Sequence, residues 1–201
     1  MSDLRPYRRK IGRSGRRLFT AAGLFMGVNA ALLWIRYSSD LELSVAWPAI
    51  PGTIGLACAV SGLIMLYPRA NPGAPRLAKV GGGFAVLSAF SLSASALSIL
   101  YAAMFAADRS EFPPLGALVL IAEFLVAVVL SFLFNAIAFL LHAGQRTLGA
   151  LLLVPFIMWS VMLIISALKG VEVGLALDFY TNPIIAAAFI AISLLLGRTS
   201  R

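Results

Sequence analysis

The sequence predicts an all-α, polytopic transmembrane helix bundle of six spans with both termini cytoplasmic. Three observations carry that expectation. Hydrophobic residues make up 61% of the 201-residue chain and charged residues only 12%, whereas a soluble domain is nearer half apolar and a quarter charged. Six apolar runs are long enough, within a few residues, to cross a hydrocarbon core of about 30 Å, which takes roughly 20 helical residues. The charges also separate by sign between alternate loops. Helices are the element that suits such runs: a spanning backbone must satisfy its own hydrogen bonds, and barrel strands would be shorter and would alternate polar with apolar residues.

The first span is expected over Leu18–Ile35, after a basic tail at residues 1–17. That tail, "MSDLRPYRRKIGRSGRR", holds Arg5, Arg8, Arg9, Lys10, Arg13, Arg16 and Arg17 against a single acid. Such a segment sets topology and lies on anionic lipid headgroups, at about 1 kcal/mol per basic side chain. No nucleic-acid-binding domain follows it, so no nucleic-acid partner is expected. The apolar run is longer than a signal-peptide core, and "WIRYSSD" lacks a small-x-small cleavage site, so a retained signal anchor is the reading. Gly23, Gly27 and Ala31 recur at intervals of four, a spacing that lets helix backbones approach closely, and they are expected to form a helix contact.

The second span, Val45–Tyr67, contains Pro51 and the single cysteine, Cys58. One cysteine cannot form an intramolecular disulfide, and no Cys/His spacing suggests zinc. The turn-rich "YPRANPGAPR" follows. The third span, Val80–Ala106, places Ser88, Ser91, Ser95 and Ser98 three and four residues apart, hence on one helical face. That face is expected to serve as a helix contact or as a hydroxyl-lined path. The fourth span, Leu115–Leu141, opens after Pro113 and Pro114 and carries Glu123, Ser131 and Asn135, with His142 at its end.

The fifth span is expected over Leu148–Leu168 with Pro155 inside it, and the sixth over Tyr180–Gly197. There "TNP" reads as a helix start, with Asn182 as N-cap and Pro183 at the first helical position. Trp34, Trp47 and Trp159, with Tyr37, Tyr67 and Tyr180, fall near span ends and read as an interfacial belt. Residues 198–201 form a short C-terminal segment. Splitting the chain into spans one to three and four to six gives halves of opposite orientation, with Pro51 and Pro155 in corresponding places. No residue-level similarity accompanies that arrangement.

Orientation follows from Lys and Arg. With a cytoplasmic N-terminus, the inside holds the seven basic residues of the tail with Arg69, Arg76, Lys79, Arg146, Arg198 and Arg201. The outside holds Arg36, Arg109 and Lys169, and also Asp40, Glu42, Asp108, Glu111, Glu172 and Asp178. Adding or removing one span would scramble this separation. The expected location is the cell membrane.

Glu123 is the chemical anomaly. It sits eight residues into its span, roughly 12 Å deep at 1.5 Å per residue, too deep to snorkel easily. Intramembrane acids are costly and mark a pathway, a proton relay or a counter-charge. Glu123 is therefore expected to face other helices or a partner, with Asn29, Ser88, Ser91, Ser95, Ser98, Ser131 and Asn135 as candidate pathway or helix-contact residues. No phosphate-binding loop, no G-x-S-x-G and no H-E-x-x-H occurs, so no catalytic residue, metal or cofactor is expected. Two function classes remain. One is movement of a small solute or ion, which requires a water-accessible cavity reaching Glu123. The other is a non-catalytic accessory or scaffold subunit of a larger membrane complex, which requires a dry bundle with a partner on its lipid-facing side; an intramembrane enzyme ranks behind both, and the partner is expected to be a further copy of the chain or a membrane complex.

Overall fold

The computed structural model describes residues 5–38, 46–105 and 115–198. It contains six helices and, among the described residues, no strand: α1 (Arg5–Ser38), α2 (Ala46–Ala70), α3 (Pro75–Phe105), α4 (Leu115–Leu140), α5 (Arg146–Lys169) and α6 (Val171–Arg198). Each is long and apolar enough to cross a membrane, so the chain is a multi-pass membrane protein. Pro113 and Pro114, expected to open the fourth span, lie outside the described residues.

The helices form a closed ring in chain order, α1 packing on both α2 and α6, with a smaller α2–α4 contact across it. At one end of the bundle Arg16 of α1 lies beside Gly197 of α6, and His142 of the α4–α5 turn lies against Gly73 of the α2–α3 turn. This is the basic end, which carries Arg13, Arg17, Arg69, Arg76, Lys79, Arg146 and Arg198. Gly170 marks the far end, where it alone links α5 to α6. Its φ of 97° is left-handed backbone, open to glycine at little cost, and its N–H donates to the Ser166 carbonyl at 3.0 Å.

The α1–α2 contact is a fit of knobs into gaps. Phe19, Met26 and Asn29 of α1 meet α2 at Gly62, Gly55 and Gly52, where an added Cβ would come within 2.8–3.0 Å of them. The spacing along α1 mirrors that along α2, as antiparallel neighbours require. At the centre of the bundle Phe189 packs against Phe19, Phe132 and Trp159 at ring separations of 5.8, 5.9 and 6.5 Å, and Phe132 meets Trp159 edge-on at 5.4 Å. Trp159 is thus a core residue and does not belong to the interfacial belt. Its position in the middle of α5, facing α4 and α6, overrides the general preference of Trp for membrane surfaces. Trp34, Tyr37 and Tyr180 do gather at the far end, around Phe179.

Three boundaries depart from expectation, the smallest at α3, which starts at Pro75, five residues before Val80 and within the stretch read as a turn. Helix α1 runs unbroken from Arg5, so the segment read as a tail is helical and continuous with the first span. Helix α6 starts at Val171, well before Tyr180. Asn182 is therefore no N-cap; it is buried mid-helix, and Pro183 is an interior proline. The reason is local: "VEVGLALDF" has no helix breaker after Gly174, and the turn is made upstream by Gly170. Pro183 lacks only the N–H that would have bonded the Phe179 carbonyl, a loss a packed membrane helix tolerates.

Candidate functional site

The interior polar groups collect first between α3 and α4. Gly81 permits the approach: a Cβ there would fall 2.7 Å from Asn135 Nδ2. The Ser131 hydroxyl donates to the Gly81 carbonyl at 3.0 Å, and Asn135 Nδ2 donates to the Ser131 carbonyl at 2.9 Å. Asn135 Oδ1 is buried and has no partner.

Further along the same contact, Ser88, Ser91 and Ser95 are buried, and each donates to its own helix: to Phe84 at 2.7 Å, Leu87 at 3.0 Å and Leu92 at 2.9 Å. Ser98 is half-buried. These hydroxyls have spent their protons on local carbonyls, the usual resting state of a helical serine. Asn29 is buried between α1 and α2, opposite Gly52. The structure thus joins Ser131 and Asn135 through Gly81, while Asn29 belongs to a different helix pair.

Glu123 is elsewhere. Its side chain is exposed on the outside of the bundle, between exposed Val119 and Val126, and it does not line the interior. The angular arithmetic explains this. At about 100° per residue, eight residues put Glu123 roughly 80° from Ser131, and twelve put it about 120° from Asn135. Those two face α3; Glu123 has turned past the edge of that face.

The first-span contact also differs in detail. Gly23 does meet α6 tightly: an added Cβ would lie 2.7 Å from the Ile190 side chain and 3.0 Å from the Ala186 carbonyl. Gly27 and Ala31 make no such contact. Both are exposed, and a Cβ on Gly27 would meet nothing within 4 Å. The interval of four drifts off the α6 seam, which continues instead through Thr20, whose hydroxyl lies 2.6 Å from that of Ser193. Arg13, Arg16 and Arg17 of the basic segment are exposed; the side chains of Arg5, Arg8, Arg9 and Lys10 lie outside those described.

Three features escaped sequence reasoning. The small residues of α2 at positions 52, 55 and 62 carry the α1 contact. Gly149 of α5 touches backbone, with a would-be Cβ 2.7 Å from both the Ala136 carbonyl oxygen and the Leu140 nitrogen. On α6, Asp178, Thr181 and Asn182 share a face at spacings of three and four; Thr181 is buried and its Oγ1 has no partner. The signal for the last was present in that spacing, but it required the helix to start before Tyr180.

Among the described residues no group of three or more His, Cys, Asp or Glu could hold a metal ion. No protein-family model matches the chain, and no curated protein or solved structure matches it either.

Proposed function

We propose that this chain is a non-catalytic accessory or scaffold subunit of a membrane assembly, in the cell membrane with its basic end cytoplasmic, and that the far-end half of α4 is where it docks. The observation carrying this reading is the exposure of Glu123 on the outside of the bundle. A carboxyl group facing hydrocarbon is expensive. A protein surface that hydrogen-bonds or pairs with it removes that cost. The ring interior gives the same direction, since its centre is filled by Phe19, Phe132, Trp159 and Phe189. Purification in mild detergent, with identification of co-purifying proteins, tests it. Wild type should retain a membrane partner that Glu123→Leu loses while staying folded. A wild-type chain that purifies without any partner, itself included, overturns the reading.

Movement of a small solute or ion is the second reading. It is favoured by the polar face of α6, where Thr181 and Asn182 are buried in the far-end half of the bundle and half-buried Asp178 lies one turn away. Loss of growth or uptake in a folded Thr181→Val variant, with Glu123→Gln tolerated, would support that site over the docking face.

A further inference from the structure

The docking reading leaves the partner of Glu123 open, and the chain itself supplies a candidate. On α4, Gly116, Val119, Glu123 and Val126 follow one another at three, four and three residues, and all four are exposed. That is the spacing of a helix-contact seam. The neighbours of Glu123 in it are slender, and a Cβ on Gly116 would meet nothing within 4 Å. Another helix can come close there, as small residues allow in membranes.

A cation lies at a matching depth. Phe132 meets Trp159, and Gly149 lies opposite Ala136 and Leu140. Carried along the two antiparallel helices at equal rise, these pairings set Glu123 level with about residues 164–168 of α5. The next residue is Lys169, exposed at the end of that helix. Among the described residues neither Glu123 nor Lys169 takes part in an ion pair. Arg36, the other described basic residue at the far end, is on α1, which packs chiefly on α2 and α6.

We propose that two copies of this chain associate through the far-end halves of α4 and α5, with Glu123 of each copy paired to Lys169 of the other. The proposal rests on the docking reading and names its occupant. A two-fold axis along the membrane normal keeps every residue at the same depth in both copies. Where α4 of one copy packs on α5 of the other, Lys169 then lies within about a turn of Glu123 in depth, inside the reach of a lysine stem. Symmetry makes the pair twice. The apolar seam brings the helices together and the two ion pairs fix their register, because a charge left without its partner in that setting is strongly unfavourable.

The test uses the full chain carrying two different tags, co-expressed and purified in mild detergent through one tag, with the second tag measured. Wild type should bring down its differently tagged copy. Glu123→Lys alone and Lys169→Glu alone each set like charges together across the interface and should lower recovery about tenfold or more. A Glu123→Lys chain co-expressed with a Lys169→Glu chain restores opposite charges at both contacts and should recover association. A pair formed within one chain would show no such preference for the mixed dimer.

Thermal unfolding of each purified protein separates lost association from lost folding. If either charge reversal fails to fold, Glu123→Gln and Lys169→Gln replace them, each expected to reduce recovery while remaining folded. Wild type that does not bring down its copy, single variants that associate like wild type, or folded reversal variants without mixed-pair recovery each overturn the proposal. Should the wild-type copy be absent while a different protein co-purifies in a Glu123-dependent way, the dimer fails and the docking reading stands.

Discussion

Replacing Gly149 by alanine sets two effects of similar size against each other. In an open helix position, alanine is favoured over glycine by about 0.8–1 kcal/mol. At Gly149 the new methyl would lie 2.7 Å from the Ala136 carbonyl oxygen and 2.7 Å from the Leu140 nitrogen, both backbone atoms of α4. Neither can rotate away, so α4 and α5 must separate by several tenths of an ångström. Separation loosens the Leu140 contact at the same point and the Phe132–Trp159 contact further along the same helix pair. Overpacking of this kind costs about 1–3 kcal/mol, and against immovable backbone on both sides the middle of that range outweighs the propensity gain. Net destabilisation of about 1 kcal/mol follows at the middle of those ranges, a Tm lower by about 2–4 °C for a chain of this size. Gly27→Ala is the control: with nothing within 4 Å of its new Cβ, it should hold or raise the Tm. The assay is thermal unfolding of the three proteins in one detergent. A Gly149→Ala protein as stable as wild type would refute the reading of α4–α5 as a backbone-to-backbone contact.

Three further outcomes are expected. Phe189→Ala removes the ring that joins α1, α4 and α5 in the core, and should cost about 3–5 kcal/mol; a loss under about 1 kcal/mol by chemical or thermal unfolding would mean the core is not packed as described. Ser131→Ala removes the hydrogen bond to the Gly81 carbonyl and should cost about 0.6 kcal/mol and less than about 2, so a Tm drop larger than that of Phe189→Ala would contradict the ranking. For orientation, a reporter fused after Arg201 should register cytoplasmic and one inserted near Arg109 external; the reverse pattern would invert the proposed topology.

Fold class was legible because length and apolarity alone determine which segments can cross a bilayer. What the sequence carried less well was facing. In water a helix announces its buried side by a polar opposite side. In lipid both sides are apolar, and only sparse polar or small residues remain to mark direction. Ser88, Ser91, Ser95, Ser131 and Asn135 mark it well, and all five are buried. Glu123 does not: the assumption that polar means inward fails for a residue roughly 80° away from Ser131 around the helix. Gly27 fails for a related reason, since a strict interval of four exceeds 3.6 residues per turn and walks off a straight seam. The missed start of α6 has another origin. "TNP" carries strong helix-start chemistry, but a helix already under way from Val171 leaves Asn182 no free N–H groups to cap.

The α1–α6 seam has a consequence for the order in which the protein can be made. Trp34 rests on Phe179, Gly23 on Ile190, Phe19 on Phe189 and Thr20 on Ser193. During synthesis α1 enters the bilayer long before any of those α6 residues leaves the ribosome. It can pair early with α2, whose glycines receive Phe19, Met26 and Asn29, but its other flank must wait in lipid until the sixth helix arrives. A chain interrupted anywhere before Phe179 would therefore carry at most five complete helices and an open ring, a ready signal for a membrane protease or an insertion chaperone to tell unfinished molecules from finished ones.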